Sequence, residues 1–249
     1  MLVLLSALTM YSATAQRIAP DTLALSGGSL IVQPINHASM VLTAKGKTIY
    51  VDPVGGAAKY QGLAAPDIIL VTDIHGDHFD SATLRPMMEK GVVLIAPEAV
   101  LSKFNGSFKG GSFIVLHNGE TSTQGDIVIT AIPMYNLPAS TTDPRHPKGR
   151  GNGYVLSVGG KKIYLSGDTQ GIPEMRALTG IDVAFVCMNL PYTMDINEAA
   201  DAVLAFKPKI VYPYHYRGQN GLSDVNAFKN LVQAGNKNIE VRLRNWYPG

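Results

Sequence analysis

The stretch Thr72-Asp73-Ile74-His75-Gly76-Asp77-His78-Phe79-Asp80 decides how this chain is read. It follows Asp67-Ile68-Ile69-Leu70-Val71-Thr72, an apolar run with the length and composition of a central strand covered on both faces. Four side chains able to bind a metal, Asp73, His75, Asp77 and His78, fall within six residues at that strand's exit. Loops leaving the carboxyl ends of neighbouring parallel strands share one rim, so ligands placed there converge. Imidazole nitrogen mixed with carboxylate oxygen suits Zn, Mn or Fe better than Ca or Mg. A capped helix start, with Asp77 or Asp80 as the cap, accounts for one aspartate. It does not account for two histidines and two aspartates packed directly after an apolar strand.

Outward from this stretch, the pattern alternates short strands with helices. Residues 29–32, 39–42 and 48–51 read as strands, the last two joined by a turn at Lys45-Gly46. A helix is expected over 81–90, a buried strand over 92–95 and a short helix over 98–103. Strands follow at 112–116, 126–133, 154–158 and 161–165, with Gly159-Gly160 as the turn between the last two. Residues 136–152 read as a long loop rich in proline and glycine, a kind more often functional than structural. A strand at 182–186 precedes Asp195-Ile196-Asn197-Glu198, a capping box opening a helix to Phe206 that Pro208 stops. A strand at 210–212, a helix over 224–233 and a closing strand at 239–243 complete the chain. No repeat or low-complexity tract interrupts it. Hairpins, buried strands and outer helices together predict a layered α/β domain with its sheets inside.

Composition bounds the function. The chain has 249 residues, 46% hydrophobic and 16% charged, with 21 Lys plus Arg against 19 Asp plus Glu. A net charge of +2 leaves no electrostatic footprint for nucleic acid. No apolar run reaches the roughly 18 residues of a transmembrane helix. The single Cys187 excludes an intrachain disulfide and a cysteine-rich zinc module. Leu2 to Met10 is apolar and Ala13-Thr14-Ala15 is a small-x-small site, so residues 1–15 read as a signal peptide cut after Ala15. A buried N-terminal strand or helix is the alternative. With the leader removed, a secreted or periplasmic chain of a single domain, 16–249, is expected.

The 72–80 stretch resembles the His-x-His-x-Asp-His motif of the metallo-β-lactamase fold superfamily, and other landmarks follow in order. Asp52 ends an early strand in Val51-Asp52-Pro53. Ser166-Gly167-Asp168-Thr169 matches the Gly-Asp-Thr motif, and His215 in Tyr214-His215-Tyr216 matches the final histidine. With Asn36-His37-Ala38-Ser39, the layout over residues 29–245 resembles the branch of ascorbate-phosphate lactonase-like hydrolases. The resemblance implies a four-layer αβ/βα sandwich with two divalent metal ions, Zn first and Mn or Fe as alternatives, at one edge of two facing sheets. It implies that Asp73 and His75 hold the first metal and that Asp77, His78 and His215 hold the second. Asp168 bridges both, and Asp52 orients the motif loop by hydrogen bonds.

Two departures from that pattern stand out. Asp73 replaces the usual first histidine, which makes the first site harder and more negative and admits Mn or Fe. The usual mid-chain histidine is also missing, because that strand runs into Pro133-Met134-Tyr135-Asn136. A sub-branch with similar Tyr-Asn and His-Pro-Lys-Gly segments marks this as a variant, with His146 the expected replacement ligand and Asn136 the weaker candidate. His37 is expected at the rim, against substrate or behind the ligands, with an ordinary hydrogen-bonded strand histidine as the alternative. Lys148 and Arg150 offer a phosphate or carboxylate contact to substrate, against the alternative of a solvated basic loop, and Asn136 is also expected among the substrate-binding residues. His117 reads as a turn residue and Cys187 as buried and inert. Tyr212, Tyr214 and Tyr216 are expected on one strand face opposite His215.

The reaction implied is hydrolysis by a water shared between two metals about 3.5–4 Å apart, with Asp77 and Asp168 central. No Gly-x-Ser-x-Gly elbow competes with it. In the resembled superfamily the bridging carboxylate marks enzymes other than β-lactam-degrading ones. It fits an ester, lactone, thioester or phosphodiester of an anionic small molecule or a lipid, since phospholipase D-like enzymes acting on N-acyl-phosphatidylethanolamine share related motifs. Two further readings compete. One is a metal-binding, non-catalytic sensor or scaffold with a degenerate first site. The other is an iron oxidoreductase in the same fold. Whether His146 reaches the metal edge separates the first of these from a hydrolase. Oligomeric state is not legible.

Overall fold

Each half of the chain folds into its own seven-stranded sheet, part antiparallel meander and part parallel. The protein is described by a computed structural model covering residues 17–104, 110–140 and 144–247. The expected signal peptide lies outside the described residues.

The first sheet keeps chain order: β1 (Asp21–Leu25), β2 (Gly28–Asn36), β3 (Ser39–Ala44), β4 (Lys47–Val51), β5 (Ile68–Leu70), β6 (Val93–Ala96) and β7 (Ser112–Val115). Pairing is antiparallel from β1 to β4 and parallel from β4 to β7. The second sheet holds β8 (Thr121–Gln124), β9 (Ile127–Met134), β10 (Gly151–Val158), β11 (Lys161–Leu165), β12 (Val183–Cys187) and β13 (Ile210–Tyr214). A small hairpin, β14 (Arg217–Gly218) with β15 (Gly221–Leu222), stands apart, and β16 (Glu240–Val241) closes the second sheet beside β13. Here too a meander, β8 to β11, gives way to parallel pairs.

Side-chain alternation explains the layering. Leu42, Ile49, Leu70 and Ile95 of the first sheet share one core with Ile129, Leu156 and Ile163 of the second. Their strand neighbours Val41, Tyr50, Ile69 and Leu94 face the other way. They pack with Leu84 of α1 (Ser81–Leu84) and Val100 of α2 (Glu98–Lys103). Both faces are therefore apolar, which is why these strands read as continuous hydrophobic runs. After α3 (Pro173–Arg176), helices α4 (Ile196–Phe206) and α5 (Val225–Gly235) cover the second sheet, with the Phe206 ring 5.8 Å from that of Tyr164. The result is the expected helix–sheet–sheet–helix sandwich. Among the described residues no helix is long and apolar enough to cross a membrane.

Several boundaries differ from expectation. The helix expected over 81–90 ends at Leu84 and continues as a 3-10 turn over Arg85–Met87. Pro86 lacks an N–H and its ring crowds the preceding turn. The 67–72 strand pairs only over Ile68–Leu70, and the 239–243 strand only over Glu240–Val241. Asp195 does cap α4, accepting from Asn197 N and Glu198 N at 2.8 Å each. Glu198 does not close the box, because its carboxylate accepts instead from Gly171 N at 2.8 Å. The edge strand β8, Thr-Ser-Thr-Gln, carries no apolar signal to read.

What matters for the site is where the parallel strands end. β4 delivers Asp52, β5 the Thr72–His78 loop, β11 Asp168, β12 Asn189 and β13 His215, all at one edge.

Candidate metal centre

Asp77, His78, Asp168 and His215 place one donor atom each within 4.8 Å of one another, and Asp73, His75 and His146 form a second such set. Asp168 faces both. Its Oδ1 stands 3.3 Å from His78 Nε2 and 3.1 Å from His215 Nε2, while its Oδ2 stands 3.1 Å from His146 Nε2. His215 Nε2 lies 3.5 Å from Asp77 Oδ2 and 3.1 Å from His78 Nε2. In the other set, Asp73 Oδ2 is 2.6 Å from His75 Nδ1 and 3.9 Å from His146 Nε2. His146 thus reaches the edge, which removes the main ground for a degenerate first site.

These residues fit divalent ions on two counts. Donors about 2.0–2.1 Å from one tetrahedral ion stand about 3.3 Å apart, the spacing of most of these pairs. In addition, three atoms that face the two sets, His146 Nε2, His75 Nδ1 and Asp168 Oδ1, are buried without an aligned hydrogen-bond partner. His146 Nε2 and Asp168 Oδ2 approach at ion-pair distance, but the nitrogen is not lined up as a hydrogen-bond donor. Buried polar atoms in that condition call for an ion or a water.

Electrostatics point the same way. Burial pushes the Asp168 carboxyl up, yet the His215 and His78 imidazoles outweigh it and hold it well below the carboxylate range. Asp77 is opposed by burial too, and His37 and His78 bring it down. Burial pushes the His78 imidazole down, but Asp168 and Asp52 raise it well above the ordinary histidine value. A cation held between these carboxylates would take the place of the proton that they favour on His78.

Local sequence explains how these groups are held. Asp52 sits buried at φ 44°, with Thr72 N and Thr72 Oγ1 each donating at 2.7 Å and His78 Nδ1 2.8 Å away. It therefore fixes both the start of the motif loop and the His78 ring. His37 and His215 also take positive φ, 57° and 46°. Such positions cost about 1–3 kcal/mol each and persist only where surroundings fix them. Here His37 N donates to Trp246 O and His215 N donates to His37 O. Gly167 takes φ 61°, and a Cβ there would stand 2.7 Å from Met134 Sδ, so the turn into Asp168 requires glycine.

The remaining expected residues fall as follows. His37 Nε2 is 3.3 Å from Asp77 Oδ2, and its Nδ1 is 2.8 Å from Tyr247 Oη. Asn136 is not turned onto the donor sets: its Oδ1 accepts from His146 N at 2.8 Å and its Nδ2 donates to Tyr192 O at 2.9 Å. Arg150 donates to both Asp73 oxygens and to Arg145 O. Lys148 pairs with Glu174 at 2.7 Å. Both cations expected at substrate thus have partners within the chain. Tyr212 and Tyr214 of β13 have different tasks, Tyr212 donating to Asp21 and Tyr214, at the strand's end, accepting from Gly167 N. Cys187 is buried, as expected. Asn189, Thr72 and Tyr247 were not singled out by sequence. Asn189 Nδ2 stands 3.2 Å from His215 Nε2, and its place just past β12 follows the same strand-exit rule as His215.

Comparison with known proteins adds to this geometry. A family model described as a beta-lactamase superfamily domain matches residues 32–215. A UPF0173 metal-dependent hydrolase of Pyrococcus abyssi is 30% identical over 211 residues, 81% of this chain and 91% of that protein. A crystal structure from Parabacteroides distasonis, described as a metal-dependent hydrolase, is 37% identical with a TM-score of 0.78, covering 91% of this chain and 98% of that one. The metallo-β-lactamase fold protein YhfI of Bacillus subtilis shares the fold at 13% identity and a TM-score of 0.68, over 84% of this chain and 89% of its own.

Proposed function

Because this chain belongs to the β-lactamase superfamily and, within it, to the metal-dependent hydrolases, we propose that it holds two divalent ions and hydrolyses an ester, lactone, thioester or phosphodiester of an anionic small molecule or lipid. One observation carries this reading: the two Asp168 oxygens face opposite donor sets at 3.1–3.3 Å. A carboxylate so placed offsets the repulsion of two cations and keeps them close. Asp73, His75 and His146 would hold one ion, and Asp77, His78 and His215 the other. Zinc suits the imidazole-rich set, whereas the carboxylate at Asp73 admits Mn or Fe in its partner. When bound, such a pair lowers the pKa of a shared water and polarises the bond to be cleaved.

The chain's own residues do the rest. Asp52 holds the His78 ring with Nε2 facing the centre. His37, fixed by Tyr247, holds Asp77. Asn136 ties the loop that carries His146 to Tyr192, which keeps this ligand in place although its segment is long. The Asn189 amide, locked by Thr193 and 3.2 Å from His215 Nε2, is a polar group available to a substrate oxygen.

The test is a panel of a phosphodiester, a lactone and a thioester with Zn or Mn added. At least one class should turn over, and Asp168→Ala should lose about a hundredfold or more, several kcal/mol of transition-state stabilisation. Equal rates for the native chain and the variant would overturn the assignment.

A further inference from the structure

Among the described residues five large apolar side chains are exposed, and three of them, Leu137, Leu190 and Leu222, rim the metal centre with 40%, 47% and 55% of their surface open. Isolated exposed leucines are ordinary. These are not isolated: two directly follow a residue of the site, and the third lies on a hairpin bonded to the second. Leu137 follows Asn136, which holds His146. Leu190 follows Asn189, which touches His215. Leu222 lies on the β14–β15 hairpin that springs from just beyond His215, paired with Arg217. Bonds tie the three segments together. Asn136 Nδ2 donates to Tyr192 O at 2.9 Å, and Gln219 N donates to Leu190 O at 2.8 Å. Gly218 meets Leu190 so closely that a Cβ there would stand 1.9 Å from the Leu190 carbonyl oxygen.

Two cations share this rim. The Arg145 guanidinium lies over the Tyr192 ring at 4.3 Å, and that of Arg217 over the Tyr247 ring at 4.5 Å. Both are exposed, and among the described residues neither has a carboxylate at ion-pair distance, unlike Lys148 and Arg150. Stacking on tyrosine holds a guanidinium flat while leaving its N–H edge available to an anion. Apolar surface and unpaired cations placed together match a molecule that is itself apolar at one end and anionic at the other.

We infer that the rim of Leu137, Leu190 and Leu222 with Arg145 and Arg217 is a binding surface for a single anionic amphiphile, its alkyl or acyl chain over the leucines and its anionic group between the arginines. Three leucines cover one chain; they are too few to seat a bilayer. Calling this amphiphile the substrate rests on the hydrolase reading; the binding surface itself does not.

The test is calorimetric binding, below micelle-forming concentrations and with chelator present so that no metal takes the headgroup. The probes are butyl phosphate, octyl phosphate and octyltrimethylammonium. Octyl phosphate should bind about tenfold or more tighter than butyl phosphate, because four added methylenes leave water. The Leu190→Ser/Leu222→Ser variant should bring that ratio near one. The Arg145→Gln/Arg217→Gln variant should weaken both phosphates about tenfold and leave the ammonium probe unchanged. The octyl-to-butyl ratio is internal to each variant, so it stays readable if a variant's melting point moves. A chain-length ratio near one in the native protein, or an unaltered ratio in the leucine variant, overturns the inference. So does equal binding of the ammonium and phosphate probes. Co-sedimentation with phosphatidylglycerol vesicles without binding of monomeric octyl phosphate overturns it in favour of a membrane contact. Octyl phosphate binding as described, in a protein that hydrolyses nothing in the ester panel, would sink the hydrolase reading alone.

Discussion

Arg150 closes a two-pronged fork on Asp73, with Nε 3.2 Å from Oδ1 and Nη2 3.1 Å from Oδ2. This pair accounts for a departure visible in the sequence. A carboxylate where relatives of this motif carry imidazole adds a buried negative charge. The guanidinium cancels that charge and leaves Oδ2 turned toward His75 Nδ1 at 2.6 Å and His146 Nε2 at 3.9 Å. Arg150 is thus a brace for the first donor set, with Nε and Nη2 engaged on Asp73 before any substrate arrives.

Arg150→Met should therefore destabilise the metal-free chain by about 3 kcal/mol, the low end for breaking a buried ion pair, since His75 remains beside Asp73. Much of that loss should return on adding Mn or Zn, because a cation replaces the missing charge. Thermal unfolding of both proteins with and without metal measures it. A variant as stable as the native chain without metal would show that the fork carries no weight.

Asp52 touches neither an expected substrate nor an expected ion, yet it accepts from Thr72 and faces His78 Nδ1. Asp52→Ala leaves that buried nitrogen only Thr72 Oγ1, 3.0 Å away, as an acceptor and removes the carboxylate that fixes both groups. Affinity at the set containing His78 should fall about 10- to 100-fold. Competition with a coloured chelator reads this directly, and Asp52→Asn, which keeps one acceptor, should lose less.

Far from the centre, Asp21 ties β1 to the second sheet through Tyr212 Oη at 2.6 Å and Arg244 Nη2 at 2.7 Å. Burial pushes its pKa up, but the Tyr212 hydrogen bond together with Arg242 and Arg244 wins and lowers it. A depressed pKa means that the folded state holds its proton less tightly than the unfolded one. The stability it contributes is complete above the unfolded carboxyl value of about 3.9 and drains away as pH falls through the folded value. Native chain and Asp21→Asn should differ in urea midpoint at pH 6 and converge toward pH 2. A gap that stays constant across that range would contradict the assignment.

Much of this centre was legible because its chemistry lies in short segments after apolar strands. The 72–80 loop follows a continuous hydrophobic run, so strand-exit reasoning finds it without a structure, whereas Asp168 and His215 were read through their resemblance to the Gly-Asp-Thr motif and the final histidine of the superfamily. His146 was reachable only through the missing histidine after Pro133 and the nearby His-Pro-Lys-Gly segment. Its position depends on Asn136 and on the path of a long loop, which no periodicity encodes. The partners of Lys148 and Arg150 were hidden for a similar reason. Glu174 and Asp73 lie 26 and 77 residues away along the chain, and a loop cation in sequence looks free for substrate. Asn189 was missed although it obeys the same rule as His215, because a lone asparagine after a strand carries no motif. The polar edge strand β8 and the proline-broken helix at Leu84 show how edges and breakers escape hydrophobic patterning.

The central claim is that Asp168 joins two donor sets into one two-ion centre. Bound metal per chain, measured after equilibrium dialysis against Mn or Zn, tests it most directly. The account predicts two equivalents for the native chain and fewer than one tightly held equivalent for Asp168→Ala. A single equivalent in the native chain, unchanged in the variant, would contradict it.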